Sequence, residues 1–247
     1  METQKYYDKS LYTSEPSEVM LQSPRAVVPL VISLVRPKSV VDVGCGSGAW
    51  LRVFQEQGVG RVLGLEGSHV DRSWLLISQD LVRAQDLTQP FRLAEAFDLA
   101  TCLEVAEHLP SKCAEGLVAS LVSLAPVILF SAAVPLQGGV HHVNEQWPDY
   151  WARIFQEHNY RQLDLLRKLI WKNPIIKNFY RQNMFFYVRE DVIESNLDFK
   201  EATQDPNDLM LVHPSILKAQ LGLRSILRNL PRSLWEFAAR RFPNVRG

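Results

Sequence analysis

One short run constrains this chain more than any other. Residues 40–50 read VVDVGCGSGAW, a β-branched strand that breaks into Gly44, Gly46 and Gly48 and resumes at Ala49 with helical spacing. Glycines at that density let the backbone turn sharply and let a ligand approach without meeting a Cβ, while the next helix aims its free amides at the same point. A polar ligand is therefore expected at the turn. The letters also satisfy G-x-G-x-x-A through Gly44, Gly46 and Ala49, so the glycines by themselves suit a dinucleotide as well as other cofactors.

The surrounding pattern alternates strands with helices. Apolar spacing predicts a helix over 23–35, a strand over 39–43, and a helix over 49–57 that stops at Gly58. Strands follow over 61–65 and 81–84, with a short helix between them over 71–78. A fourth strand over 97–102, a helix over 111–124 and a fifth strand over 127–132 complete the alternation. A helix over 147–157 and two extended runs, 160–166 and 184–188, then close the sheet in hairpin fashion. The expected fold is a Rossmann-like, doubly wound, seven-stranded and mainly parallel sheet with an antiparallel edge strand and helices on both faces. Residues 167–181, basic, apolar and broken by Pro174, form an excursion of short helices. The organisation reads as an N-terminal lid segment 1–22, a catalytic domain 23–190, a linker 191–212 and a basic helical tail 213–247.

Composition narrows the partners. Formal charge is zero, which gives no global attraction to nucleic acid. Seven of the basic residues fall in 213–247 against one acid, Glu236, so the body is acidic. Cys45, Cys102 and Cys113 show neither a C-x-x-C pair nor histidines at zinc-like spacing, which suits a reducing, cytoplasmic setting. The polar start, METQKYYDKSLY, lacks the apolar core of a signal peptide, and a soluble protein is expected.

Glu66 closes the second strand 18 residues after Gly48, near the ~20-residue spacing at which a carboxylate reaches adenosine ribose hydroxyls. VVDVGCGSG, with Asp42 two residues before the first glycine, resembles the first motif of the class I S-adenosylmethionine-dependent methyltransferases of the small-molecule type. GLEGS around Glu66 resembles their ribose-binding acid. AQDLTQPF resembles the adenine-recognition stretch, and LEVAEHLP, residues 103–110, resembles the segment after their fourth strand. The four stretches stand in the right order over residues 38–135. The resemblance implies S-adenosylmethionine as cofactor, with Gly44, Cys45, Gly46 and Gly48 bordering it and Asp42 anchoring the turn near its amino-acid end. Glu66 and Gly67 would meet the ribose, Asp86 and Leu87 the adenine, and Leu103, Glu104 and His108 would wall the sulfonium side. Local chemistry offers plainer readings for two of these places: Asp86 as a turn cap, and Glu107 with His108 as helix-capping groups.

In an open α/β sheet the substrate meets the cofactor beyond the carboxyl ends of the strands, which points to the loop after the fifth strand. It reads VPLQGGVHHVNEQWPDYW and sets His141, His142, Asn144 and Glu145 within five positions. His141 or His142 is the candidate base or acceptor-orienting group, since histidine titrates near neutrality. His141, His142 and Glu145 also offer metal-ligand atoms, but an adjacent histidine pair is poor material for magnesium, and no metal is expected. Trp147, Tyr150 and Trp151 fall at helical spacing and read as core and pocket wall, and Tyr6 or Tyr7 as part of a lid.

The reading that follows is O-methylation of a hydroxyl on a small molecule or glycan, without a nucleic-acid partner; the N-P-P-Y signature of amino-methylating nucleic-acid enzymes is absent after the fourth strand. The basic tail reads as a docked amphipathic face, with contact to an anionic membrane as the alternative. Two other functions stay open on sequence. One is an NAD-dependent oxidoreductase using the same glycine turn, disfavoured because no Tyr-x-x-x-Lys set follows. The other is a non-catalytic cofactor-binding partner. The acceptor and the oligomeric state are not legible.

Overall fold

A computed structural model describes residues 17–68, 70–202 and 211–220. Helix α1 (Ser17–Val35) leads into β1 (Ser39–Val43), then α2 (Ala49–Glu56), β2 (Arg61–Glu66) and β3 (Val82–Ala84). Next come β4 (Leu99–Leu103), α3 (Ala114–Leu124), β5 (Val127–Ser131), α4 (Pro148–Gln156) and β6 (Tyr160–Leu163). Two short helices, α5 (Arg167–Ile170) and α6 (Asn178–Asn183), precede β7 (Phe185–Arg189), which is followed by α7 (Glu190–Ser195) and α8 (Leu197–Lys200). The strands form one seven-stranded sheet in the order β3-β2-β1-β4-β5-β7-β6. All pairings are parallel except those of β7, which runs antiparallel to both β5 and β6. This is the Rossmann-like sheet expected from the alternating pattern.

Burial on both faces explains why the central strands read as unbroken apolar runs rather than alternating ones. Val40 and Leu129 face a core built with Val27, Val31, Leu51 and Phe54, while their neighbours Val41 and Ile128 face Leu117, Leu121 and Phe155. Helix α1 has the length and apolar composition of a membrane-crossing helix, yet Val27, Val28 and Val31 are fully buried against the sheet domain. It begins earlier than the expected residue 23 and contains Pro24 and Pro29 in its interior; valine burial outweighs the helical hydrogen bonds that the prolines cannot make. At the antiparallel end, Phe155 stacks on Tyr187 with ring centroids 3.9 Å apart, and the Tyr160 hydroxyl donates to the Ala125 carbonyl at 2.8 Å.

Two expectations are corrected. Residues 71–78 form no α-helix: Asp71 accepts from the Ser73 amide and caps a single 3₁₀ turn, Arg72–Trp74. The Leu76 amide is drawn instead to the Ser47 carbonyl at 2.8 Å, which pulls the segment onto the glycine turn. The acidic stretch after β7 is not an extended linker up to residue 200, because α7 and α8 place Ile193 and Phe199 in the core at 1% and 2% exposure. Few apolar residues hold it, the buried Ile193 and Phe199 with the partly buried Val192 and Ala202, and their spacing shows no helical period.

The chain divides into two compact units at Leu211–Val212, and the described part of the second holds the helix α9 (Pro214–Gln220). Tyr6 and Tyr7 of the expected lid, and the tail beyond residue 220 with its expected docking or membrane contact, lie outside the described residues. Replacing Phe199 by Ala is predicted to lower unfolding free energy by about 3–5 kcal/mol, the usual loss for a buried Phe. Urea unfolding checks it, and a change below about 1 kcal/mol, the scale of surface substitutions, would contradict the docking of α8.

Candidate active site

The carboxyl ends of β1, β2 and β4 open into a cavity of about 940 Å³, a size at the upper end of ordinary ligand sites. The glycine turn forms its floor. Gly44, Gly46 and Gly48 all take positive φ, at 77°, 54° and 76°, a region that L side chains adopt only under strain. Close packing adds a second demand for glycine at two of them. A Cβ on Gly44 would stand 2.5 Å from a Val105 methyl, and one on Gly48 would stand 2.8 Å from Ile77.

The turn is tied to the end of β2. The Gly44 and Cys45 amides both donate to the Leu65 carbonyl, and the Gly46 amide donates to Glu66 Oε2 at 2.7 Å. The other oxygen, Oε1, accepts from the Gly67 amide at 2.8 Å. Two local hydrogen bonds thus hold the Glu66 carboxylate at the cavity wall. Asp86 reaches the wall by a turn: its Oδ1 accepts from both the amide and the hydroxyl of Thr88, which lowers its pKa. The plain reading of Asp86 as a turn cap therefore holds, and the same turn sets Asp86 and Leu87 beside the cavity.

Of the residues expected at the cofactor, Asp42, Gly44, Cys45, Gly46, Glu66, Gly67, Asp86, Leu87, Leu103, Glu104 and His108 line the cavity. Gly48 does not; its place is the turn and the contact with Ile77. Cys45 contributes there while its thiol lies over Gly64 and stays protonated, since burial pushes its pKa up. Several wall residues come from segments that the motifs do not mark: Met20 and Ser23 of α1, and Lys177, Phe179 and Tyr180 of the 167–181 excursion; Trp50, at the end of the glycine run, joins them. Ser23 and the excursion are joined directly, for the Lys177 amide donates to the Ser23 hydroxyl at 3.0 Å.

The charge of the wall selects among ligands. Four carboxylates, Asp42, Glu66, Asp86 and Glu104, face the cavity against a single lysine, Lys177. Such a wall favours a cation, and it repels the pyrophosphate of a dinucleotide. S-adenosylmethionine, with its sulfonium and its ammonium, fits the acids present better than NAD does. Asp42 is 2% exposed and accepts from the Thr101 hydroxyl at 2.6 Å. Burial, with a smaller contribution from the Glu66 charge, pushes its pKa up to about 7.

The loop after β5 is fastened to the segment after β4. The amides of Val143 and Asn144 both donate to the Glu107 carbonyl, at 2.8 and 3.1 Å. Inside the loop, Glu145 accepts from the Leu136 and Gly138 amides and from His142 Nδ1, each at 2.8 Å. Leu136, Gly138 and His141 hold positive φ, so two non-glycine residues of this loop carry backbone strain. The His142 ring meets the His108 ring edge to face, with centroids 5.0 Å apart. His142 is thus brought to the edge of the cavity through His108, although neither His141 nor His142 forms part of the cavity wall.

Two glutamates complete this corner. Glu104 stands at the end of β4 with φ 55°, and its oxygens accept from Gln137 at 3.0 Å and Asn183 at 3.1 Å. Glu107 is fully buried and neither carboxylate oxygen has a hydrogen-bond partner. Burial raises the pKa of both, and the Glu104 charge raises Glu107 further. Burial, then the neighbouring His142, lowers His108 to about 4, so it is neutral at physiological pH. Helix capping explains neither residue. Gln137 and Asn183, which sequence reasoning missed, hold the Glu104 carboxylate from loop and excursion.

Fold and cavity together define a class I S-adenosylmethionine-dependent methyltransferase. Residues 21–173, more than half of the chain, match the model of a methyltransferase-domain family, and the chain belongs to that family. Three solved structures show the shared fold. DesVI of Streptomyces venezuelae is 16% identical with TM-score 0.52, covering 69% of this chain and 92% of its own. The magnesium protoporphyrin IX methyltransferase of Synechocystis, with bound SAH, is 20% identical with TM-score 0.50 over 70% and 84%. The sugar N-methyltransferase KedS8 of a Streptoalloteichus species is 16% identical with TM-score 0.51 over 72% and 89%. No curated protein matches the chain at a significant level.

The Asp42 pKa makes a stability prediction with a definite sign. Because the folded-state value of about 7 lies above the ordinary 3.8, the fold is penalised as pH rises through that window, by on the order of 4 kcal/mol above pH 7. Asp42→Asn removes the ionisation while keeping an acceptor for Thr101. In the cofactor-free protein its melting temperature is expected to rise relative to wild type by several degrees between pH 5 and pH 8, at roughly 2–4 °C per kcal/mol. A difference independent of pH would contradict the burial of this charge.

Proposed function

We propose that the enzyme methylates a hydroxyl group of a small molecule or a glycan. The observation that carries this reading is the His142–Glu145 pair, which brings an oriented imidazole to the edge of the cofactor cavity through a strained, doubly anchored loop. A hydroxyl is a weak nucleophile until its proton is drawn away, whereas a free amine needs no such help. An imidazole whose Nδ1 is held by a carboxylate presents Nε2 in one tautomer and one orientation, and so can activate the acceptor oxygen. The bound cofactor supplies a sulfonium methyl group as electrophile. The protein's own task is to line up the acceptor oxygen with it, which is where much of the acceleration of an in-line transfer arises.

Within this reading, Glu66 holds the ribose hydroxyls and Asp42 the ammonium end of the cofactor. Glu104, kept in place by Gln137 and Asn183, stands by the sulfonium. A sugar-sized acceptor is compatible with the fold, since KedS8 is a sugar N-methyltransferase of the same architecture.

Two substitutions separate the parts. Glu66→Gln is expected to weaken S-adenosylmethionine binding at least tenfold by calorimetry, because its amide nitrogen then confronts either the Gly46 or the Gly67 amide and the charge is lost; unchanged affinity would remove Glu66 from the ribose site. His142→Ala is expected to lower kcat by about 10²–10⁴, the usual contribution of such a group, with the KM for cofactor unchanged. The assay is methyl transfer from labelled cofactor to a panel of sugars and phenols beside their amino counterparts. Transfer to amines alone, or full activity without His142, would contradict the proposal.

A further inference from the structure

The corner behind the acceptor loop has a feature that acceptor binding does not require. Glu107 is fully buried, and both of its carboxylate oxygens lack a hydrogen-bond partner. Set beside the Glu104 carboxyl, this buried group is poorly compensated for its lost solvation, which native structures tolerate only where a ligand or a functional need makes up the difference. One oxygen of Glu107, one nitrogen of His108 and one nitrogen of His142 all lie within 4.8 Å of one another. Glu107 and His108 are adjacent on the 3₁₀ turn Ala106–His108, and His142 is delivered by the loop whose amides bind the Glu107 carbonyl. The three groups are thus held together by backbone, not by chance rotamers.

We propose that Glu107, His108 and His142 bind a single divalent transition-metal ion at the edge of the cofactor cavity. Two imidazoles and one carboxylate with positions left open suit the first-row ions from manganese to zinc; magnesium prefers oxygen ligands throughout. Glu145 is then not a ligand but the outer carboxylate of a metal-bound histidine, since its Oε1 lies 2.8 Å from His142 Nδ1 and commits Nε2 to the ion. The same carboxylate is itself held by two backbone amides, so the ring cannot swing freely. Gly139 packs against the His142 ring at a place where a side chain would run into Nε2, so glycine is what lets the ring stand there. His108 belongs both to this cluster and to the cavity wall, so the ion would border the space into which the acceptor oxygen must come. With the ion in place His142 Nε2 is a ligand, so the ion takes over from the imidazole the hydroxyl activation proposed above; that use rests on the reading of the acceptor, whereas the ion's binding rests on the cluster alone.

The test is therefore made without acceptor and without turnover. The full-length chain, freed of metal by chelator, is titrated with Mn²⁺ followed by electron paramagnetic resonance, and with Zn²⁺ by calorimetry. One saturable site per chain is expected. Glu107→Gln and His142→Asn should each weaken it at least tenfold, and Glu145→Gln should weaken it about 10–100-fold as an outer-shell change. Each variant is first shown to bind S-adenosylmethionine like wild type, which separates loss of the ion from loss of the fold. Absence of a saturable site in the wild-type chain, or a site that Glu107→Gln leaves unchanged, would overturn the proposal. If the ion binds but amines alone are methylated, the hydroxyl reading fails and the metal site stands.

Discussion

The hydrogen bonds between the glycine turn and the end of β2 hold the whole arrangement in place. Parallel pairing sets Val43 beside Leu65, so the two strands end together. The Gly44 and Cys45 amides then bond to the Leu65 carbonyl, and the Gly46 amide to the Glu66 carboxylate. A backbone that turns through three positive φ angles has few other ways to satisfy its amides. The acid at the end of β2 therefore serves twice: it completes the turn and places negative charge at the cavity wall. Ile77 and Val105 fill the spaces that the glycines leave open, which couples the turn to the segments before β3 and after β4.

From that fixed floor the site extends in two directions. Toward β3 and α1 the wall is set by Asp86, Leu87, Met20 and Ser23; toward β5 it is set by the Glu104–Gln137–Asn183 network. The loop after β5 adds the second anchored corner, for it is bonded to the Glu107 carbonyl on one side and closed on Glu145 within. The first anchor joins backbone to backbone, and the second joins backbone amides to a side-chain carboxylate. The strain in Glu104, Leu136 and His141 lies after β4 and in the loop after β5, in keeping with the tendency of strained residues to gather at functional sites.

Much of this was legible in the sequence because it is local. The glycines, Glu66 and Asp86 each act within a strand end and the few residues that follow it, and the apolar runs of β1, β4 and β5 announce strands buried on both faces. Contacts made across the fold left no such mark. Asn183 meets Glu104 from 79 positions away, and Lys177, Phe179 and Tyr180 enter the wall from an excursion without periodicity. Helices α7 and α8 were missed for a related reason, since few residues, chiefly Ile193 and Phe199 with the partly buried Val192, carry their packing. The pairing of His142 with His108 could not be read either, although both lie in marked stretches; it depends on the loop folding back onto the Glu107 carbonyl.

An acid-lined cavity built on a dinucleotide-like glycine turn must discriminate by charge. Calorimetric titration of the unmodified chain with S-adenosylmethionine and, separately, with NAD⁺ measures that discrimination directly. One-to-one binding of S-adenosylmethionine with no heat from NAD⁺ is the expected result. Binding of NAD⁺ with equal or greater affinity would contradict the assignment of the four carboxylates to a cationic cofactor.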